Sequence, residues 1–242
     1  MRKSIAALAV AAALAVPVLA AAQAPAPSPI AGNISLVSDY RFRGITQTFE
    51  EPALQGGFDY AHASGFYAGN WNSSIADSFF GGSPLEMDFY AGYKPTFGDI
   101  TLDLGILYYY YPGSNDPVLG EIDNTELYIG AAWKWLSLKY FHAVSDFFSV
   151  PDTKNSNYLD LTASYAFGAG WGLVGHIGHQ KIKNNSAADY TDYKLGVTKD
   201  LSGWVLGVAY VDNDAEGSIT SGGGKTMDIG DSTLVFSVSK TF

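Results

Sequence analysis

The sequence lacks cysteine altogether, so the chain forms no disulfide and offers no thiolate ligand to a metal. It is also short of basic residues, with 14 lysines and arginines against 24 aspartates and glutamates. The formal net charge of −10 excludes the basic footprint by which nucleic-acid-binding proteins recognise phosphate. We therefore predict no nucleic-acid partner.

Long apolar runs are missing except at the amino terminus. There, Arg2 and Lys3 precede an apolar run over residues 5–19, and small residues ending in Ala24 follow it. This layout is typical of a secretory signal peptide that is cleaved after Ala24. An uncleaved anchor is the less favourable alternative, because Pro17 interrupts the run. No later stretch approaches the roughly 20 consecutive apolar residues of a membrane-spanning helix.

These signals divide the chain into three parts. We predict a signal peptide over residues 1–24, a flexible lead-in over residues 25–32 and one domain over residues 33–242. The lead-in is rich in proline, which disfavours regular structure there. Because no cysteine stands at the predicted cleavage site, the sequence excludes a lipid-anchored lipoprotein.

Strict alternation of apolar and polar residues is the main signal in the predicted domain. Between Ile100 and Tyr110, apolar side chains take every second position, and Asp103 stands on the opposite face. Segments of about ten such residues are typical of tilted membrane strands. We predict strands over residues 33–45, 53–62, 65–75, 85–94, 100–110, 123–134, 136–145, 157–167, 171–181, 189–199, 203–212 and 233–242. The predicted fold is all-β, a single antiparallel transmembrane β-barrel of about 12 strands.

The predicted connections alternate between short and long along the whole chain. The short ones are residues 62–65, 95–99, 134–136, 168–170 and 200–203. The long ones are residues 46–52, 76–84, 111–122, 146–156, 182–188 and 213–232. Bacterial outer-membrane barrels have short periplasmic turns and longer extracellular loops in this order. The sequence therefore predicts a barrel in the bacterial outer membrane, surrounded by outer-membrane lipid.

Aromatic residues accompany every predicted short turn, which is typical of an interfacial girdle. They are Tyr60, Phe66, Tyr93, Phe97, Trp133, Trp135, Phe167, Trp171, Trp204 and Phe242. A second girdle is predicted at Tyr40, Trp71, Tyr108, Tyr140 and Tyr210. The terminal Phe242 is similar to the signal that bacterial barrel-assembly machinery reads, so we expect that machinery as a partner. Lys240 departs from this pattern, although a lysine near the membrane boundary can snorkel at small cost.

Three segments near the amino terminus resemble a known family. They are SDYRFRGITQ over residues 38–47, PALQGGFDY over residues 52–60 and SGFYAGNW over residues 64–71. Together they resemble the TorF-type porin family of proteobacteria. The resemblance implies an outer-membrane porin, and it brings no catalytic or binding residue to any position of this chain.

Charged residues fall on the strand face opposite the apolar one, which predicts a polar lumen. The predicted pore-lining residues are Asp39, Arg41, Arg43, Asp59, Glu86, Asp88, Asp103, Glu126, Asp160, Asp192 and Lys194. Acidic residues predominate among them, so we expect a porin-like channel for passive diffusion of small solutes that favours cations. The alternative is a plugged interior, in which Arg41 and Arg43 pair with facing carboxylates.

Two other functions stay open at this point. A lipid-modifying enzyme would need a histidine-activated serine, and His142 with Ser145 is the candidate pair. A non-conducting barrel would instead bind a surface partner through its long loops, chiefly residues 213–232. We predict no enzyme, no cofactor and no metal site, since His176 and His179 stand on opposite faces of one strand.

Overall fold

The computed structural model describes residues 29–242. The predicted signal peptide, residues 1–24, lies outside the described residues, as does the start of the predicted lead-in. Two short 3₁₀ helices, Phe147–Ser149 and Ser186–Ala188, are the helical elements of the described chain. No helix within residues 29–242 has the length and apolar character needed to cross a membrane.

Twelve long strands follow one another in an antiparallel order. They are β1 (Ile30–Val37), β2 (Ala53–Ala61), β3 (Phe66–Ser74), β4 (Leu85–Tyr93), β5 (Ile100–Tyr110), β6 (Asp123–Trp133), β7 (Leu136–Ala143), β8 (Asn157–Gly168), β9 (Trp171–Lys181), β10 (Tyr190–Leu201), β11 (Trp204–Asn213) and β12 (Thr233–Thr241). Each pairs with its neighbour in the chain, and β1 also pairs with β12. The sheet therefore closes on itself, which confirms the predicted 12-stranded barrel.

The closing seam leaves no free sheet edge. Ile34 stands opposite Lys240, and Val37 stands opposite Ser237. Beyond these pairs, the backbone N–H of Gly32 donates to Phe242 O at 2.8 Å, and that of Phe242 donates to Gly32 O at 2.9 Å. Closure satisfies the backbone groups that an open edge would expose, and a membrane-spanning sheet requires this.

The two faces of the barrel are inverted relative to those of a water-soluble barrel. In β5, Leu104 and Ile106 are exposed on the outer face, whereas Asp103, Leu107 and Tyr109 are buried on the inner face. The same alternation runs along the other strands. A continuous apolar exterior over a polar interior is stable in lipid and unstable in water.

The long and short connections lie at opposite ends of the barrel, which we call the long-loop end and the short-turn end. One short turn contains a two-residue strand, Thr96–Phe97, that pairs with the start of β5. The last long connection forms a hairpin of Ser218–Thr220 with Thr226–Asp228. All ten aromatic residues of the predicted short-turn girdle are exposed, as such a girdle requires.

The second predicted girdle is wrong for two of its members. Tyr40 and Trp71 are buried inside the barrel, and their rings pack edge to face at 5.4 Å. Tyr140 and Tyr210 are exposed as predicted. Tyr40 is displaced because the chain that carries it leaves the barrel wall.

The first predicted strand is also wrong in its bounds, since β1 covers Ile30–Val37 rather than residues 33–45. It therefore begins within the predicted lead-in. After Val37 the chain turns into the barrel, and residues 38–52 form what we call the inner segment. A small hairpin in it pairs Arg41–Phe42 with Ile45–Thr46 around Arg43 and Gly44. Both turn residues have positive φ, 46° and 83°, as a two-residue hairpin of this type requires.

Candidate functional site

All eleven predicted pore-lining residues lie on the interior side of the barrel wall. Eight are on strands β2, β4, β5, β6, β8 and β10, where they are buried or half-buried. The other three, Asp39, Arg41 and Arg43, are buried in the inner segment and not on a membrane strand. The eleven residues lie in three regions of the interior, each with its own hydrogen bonds.

Arg43 organises the first region and bridges the barrel interior. Its guanidinium donates to Glu126 Oε2 on β6 at 2.6 Å and to Gln180 Oε1 on β9 at 2.7 Å. Tyr109 on β5 donates to the same Glu126 oxygen at 3.1 Å. The guanidinium carbon also lies 4.2 Å from the ring centroid of Tyr158 on β8. The hairpin tip is therefore fixed to four strands that surround it.

Asp39 and Arg41 hold the base of the inner segment. Arg41 Nε lies 2.5 Å from Asp39 Oδ2, and Arg41 Nη1 donates to Asp231 O in the last long loop at 2.9 Å. The hydroxyls of Thr46 and Thr48 both donate to Asp39 Oδ1, at 2.6 and 3.1 Å. These contacts fix the path of the inner segment through the interior.

Glu86 and Asp88 on β4 are buried beside this segment without a basic partner. Tyr40 and Tyr111 donate to the two oxygens of Glu86 at 2.8 and 3.1 Å. Asp88 Oδ1 is buried and accepts no hydrogen bond from the described residues. No lysine or arginine of residues 29–242 lies within 4.0 Å of either carboxylate. This part of the interior carries uncompensated acidic groups.

The second region lies nearer the short-turn end, along β2 to β7. Asp103 accepts a hydrogen bond from Tyr67 at 2.5 Å and pairs with Lys139 at 2.8 Å. Lys94 approaches the same carboxylate at 3.8 Å. In the same region, Tyr90 donates to Asp59 at 2.5 Å. Carboxylates here are matched by lysines and tyrosine hydroxyls.

The third region surrounds His176 on β9. Its Nε2 lies 2.8 Å from Asp192 Oδ1, and its Nδ1 lies 3.6 Å from Asp160 Oδ1. Tyr158 donates to Asp192 Oδ2 at 2.8 Å. Lys194, on the neighbouring strand, has no carboxylate within 4.0 Å among the described residues. It lines a recess of small side chains that includes Gly196, Thr198, Gly207 and Ser237.

Sequence reasoning missed the uncharged and basic partners of these carboxylates. They include Lys94, Lys139, His176 and the tyrosines 67, 90, 109, 111 and 158. Gln180, which accepts from Arg43, and Tyr128, which bonds to Tyr67, were also missed. A signal was present for some of them, because Lys139 stands between the outward-facing Leu138 and Tyr140, and His176 precedes the outward-facing Ile177. The partners of a given carboxylate lie on other strands, however, and one strand's pattern does not identify them.

The predicted enzymatic pair does not meet. Ser145 accepts a hydrogen bond from the backbone N–H of Thr125 at 2.9 Å and lies 3.4 Å from Asn124 Oδ1. His142 stacks on the ring of Tyr140 instead. No hydrogen bond joins His142 to Ser145 in the described chain. Likewise, no group of three or more histidine and carboxylate side chains within residues 29–242 is placed to hold a metal ion.

Comparison with known proteins identifies the family and the type of fold. The chain belongs to the family of bacterial proteins of unknown function called Gcw_chp. The family matches residues 21–242, which is most of the chain. No curated protein matches the sequence.

Solved structures similar to this Gcw_chp member include porins. The NanC porin shares 11% identity and a TM-score of 0.54, and the match covers 88% of this chain and 98% of that one. The KdgM porin, solved with disordered oligogalacturonate, shares 9% identity and a TM-score of 0.51 over 88% of this chain and 97% of that one. At such low identity the likeness shows a porin-like barrel fold and not a shared solute. The TorF-type resemblance stays a prediction.

Proposed function

We propose that this chain is an outer-membrane, porin-like channel that lets small solutes diffuse passively and favours cations. The supporting observation is the closed barrel with an apolar exterior and an interior in which carboxylates outnumber basic groups. Outer-membrane lipid surrounds such a barrel, and the barrel-assembly machinery reads its last strand together with Phe242, which follows it. The exposed aromatic girdle at the short-turn end fits this placement.

The distribution of charge supports the preference for cations. The interior holds eight carboxylates but five lysines and arginines, namely Arg41, Arg43, Lys94, Lys139 and Lys194. Fourteen of the 24 acidic residues lie in or beside the long connections: Glu50, Glu51, Asp77, Asp116, Glu121, Asp123, Asp146, Asp152, Asp189, Asp212, Asp214, Glu216, Asp228 and Asp231. Four lysines accompany them, Lys154, Lys181, Lys183 and Lys225. An acidic mouth concentrates cations at the entrance and repels anions.

The inner segment sets the width of the proposed path. It fills the long-loop half of the interior, where Tyr40, Tyr109, Glu126 and Gln180 are at most 1% exposed. A solute would therefore pass beside a constriction formed by the Arg43 hairpin. We expect a small conductance, restricted to ions and compact solutes.

Planar-bilayer recordings of the purified barrel in a KCl gradient test this proposal. The expected reversal potential has the sign of cation preference, and Asp59→Asn reduces it because it removes an interior charge. Asp99→Asn, in a short turn outside the interior, serves as the control with the same loss of charge and should leave the reversal potential unchanged. An absence of conductance steps, or a preference for anions, would overturn the proposal.

A second candidate function is a non-conducting barrel that presents its long loops to a surface partner. The occupied long-loop half of the interior favours it. The two candidates separate when the inner segment is removed. A channel should conduct with the segment in place and conduct more without it, whereas a barrel that is silent with the segment in place would support the second function.

A further inference from the structure

Three lysines at the short-turn end lie over exposed tryptophan rings. The distances from Nζ to the ring centroid are 4.5 Å for Lys134 over Trp133, 5.0 Å for Lys199 over Trp171 and 4.9 Å for Lys240 over Trp204. All three rings lie on the outer face of the barrel. The contacts are cation–π interactions on the surface that meets lipid.

The strand register builds these pairs. Trp171 on β9 stands directly opposite Lys199 on β10, and Trp204 on β11 stands directly opposite Lys240 on β12. Lys134 belongs to the tight turn between β6 and β7. Backbone pairing therefore places each lysine at the level of the aromatic girdle. For Lys134 the pairing is that of its own hairpin, and for Lys199 and Lys240 it is that of two adjacent strands.

The pairs occupy one arc of the rim, from β6 to β12. On the remaining strands the exposed rim aromatics are Tyr60, Phe66, Tyr93 and Phe97, without a lysine over them. The lysine of that region, Lys94, turns inward, lies over Tyr67 at 4.2 Å and approaches Asp103. Positive charge at the lipid-facing rim is thus confined to the arc, which we call the Lys–Trp arc.

The protein does not neutralise these three charges. Among residues 29–242, no carboxylate lies within 4.0 Å of the ammonium groups of Lys134, Lys199 or Lys240. Lys199 donates to the carbonyl oxygen of Ala169, which leaves its charge unpaired. At the depth of the lipid headgroups, an ammonium group with free donors can bind a lipid phosphate. The indole ring beside it can contact the apolar part of the same lipid.

We propose that the Lys–Trp arc binds the phosphate groups of anionic phospholipids in the leaflet at the short-turn end. The lysines provide charge and hydrogen-bond donors for the phosphate, and the tryptophan rings contact the glycerol and upper acyl region. The site thus selects lipid by headgroup charge around one part of the barrel. This inference does not depend on whether the barrel conducts.

Tryptophan fluorescence offers a direct test because of where the tryptophans lie. Four of the five, Trp133, Trp135, Trp171 and Trp204, are exposed at this rim, and Trp71 is buried inside the barrel. The full barrel is reconstituted into vesicles that contain brominated phosphatidylglycerol or brominated phosphatidylcholine. The ratio of quenching by the two lipids gives the relative affinity of the rim for the anionic headgroup.

The expected result is a preference of about fivefold per occupied lysine site for phosphatidylglycerol. In the triple variant K134Q/K199Q/K240Q this ratio should fall close to one. The triple variant with arginine at the same positions keeps the charge and should keep the preference. A triple variant at the long-loop end, K154Q/K183Q/K225Q, loses the same charge and should also keep the preference.

Two results would overturn the proposal. One is a wild-type barrel that is quenched equally by both lipids, and the other is an unchanged preference in K134Q/K199Q/K240Q. Heat-modifiable migration in gels confirms that each variant is folded. If the triple variant does not insert, the single variants provide the same test, because each should lower the ratio by itself.

Discussion

At the scale of single residues, the buried Arg43–Glu126 pair joins the inner segment to the barrel wall. Both side chains are at least nine-tenths buried, and their atoms lie 2.6 Å apart. A buried ion pair is weak evidence of stability, because desolvation opposes the attraction. Removing one partner is different, since it leaves an uncompensated charge in a place where water has little access.

We therefore expect Glu126→Gln to lower the free energy of unfolding by about 3 to 5 kcal/mol. The double variant Arg43→Met with Glu126→Gln removes both charges and should recover most of this loss. The control is Lys225→Gln, which breaks the exposed Lys225–Glu50 pair at 3.5 Å and should change stability by at most about 1 kcal/mol. Urea unfolding of the reconstituted barrel measures the free energy of unfolding of all three variants. A double variant as unstable as Glu126→Gln would contradict this account of the pair.

Tyrosine rings inside the barrel lie over glycines of the adjacent strand. Tyr128 on β6 stands directly opposite Gly105 on β5, and its ring covers the place where a Cβ at Gly105 would be. That Cβ would also lie 2.6 Å from the carbonyl oxygen of Ala91. Gly105 is therefore required by packing, so that the ring can lie flat and its hydroxyl can reach Tyr67.

Gly105→Ala should accordingly lower the free energy of unfolding by about 1 to 3 kcal/mol through overpacking. Gly175→Ala provides the matched control in β9, because a Cβ there would meet no heavy atom within 4 Å. Urea unfolding compares the two variants. Equal free energies of unfolding for the two variants would show that the Tyr128 ring moves aside at no cost in stability.

At the scale of elements, the inner segment forms the constriction of the proposed channel. Val37 at the end of β1 and Ala53 at the start of β2 are direct partners across the two strands. A turn of two residues would be enough to join them. The chain instead uses residues 38–52, which run into the interior and bond to β4, β5, β6, β9 and β11.

Replacing residues 38–52 with Asn-Gly should raise the single-channel conductance several-fold, because it removes the constriction and preserves the pairing of β1 with β2. The control replaces residues 181–189 with Asn-Gly, which shortens another long loop next to the direct pair Gln180 and Tyr190. That variant should keep the wild-type conductance in planar-bilayer recordings. Equal conductance of all three proteins would show that the inner segment does not limit flow.

At the scale of the whole molecule, the two ends of the barrel differ in negative charge. Fourteen of the 24 acidic residues lie at the long-loop end, whereas two, Asp99 and Asp200, lie in or beside the short turns. Charges in water are screened over a Debye length of about 10 Å at 0.1 M salt and about 3 Å at 1 M. Interior charges are screened much less. The contributions of the mouth and of the interior can therefore be separated by changing the salt.

We expect the preference for K⁺ over Cl⁻ to be strongest near 0.1 M KCl and to decrease toward 1 M, because screening removes the contribution of the mouth. A residual preference at 1 M should remain from Asp59 and the other interior carboxylates. Reversal potentials at a fixed KCl ratio and increasing total concentration measure this. A preference that does not change with salt would place the selectivity entirely in the interior.

The sequence by itself determined the barrel. Eleven of the twelve long strands lie close to their predicted bounds, because a period of two residues and the turns that interrupt it are local features. Strand β1 is the exception, because residues 38–46 continue to alternate while their partners lie elsewhere. The inward positions of the eight charged residues on barrel strands could also be predicted, since a pleated strand sends alternate side chains to opposite faces. Asp39, Arg41 and Arg43 reach the interior for another reason, because the inner segment that carries them leaves the barrel wall.

Only the tertiary structure decided how the interior is filled. Arg43 contacts Glu126 across 83 residues and Gln180 across 137 residues of the chain. Tyr40 packs against Trp71 instead of facing lipid. Such contacts depend on which strands lie opposite one another once the sheet has closed, and closure is a property of the whole ring. Local periodicity therefore specifies the wall of the barrel, whereas the path of the inner segment follows from distant groups that meet only after folding.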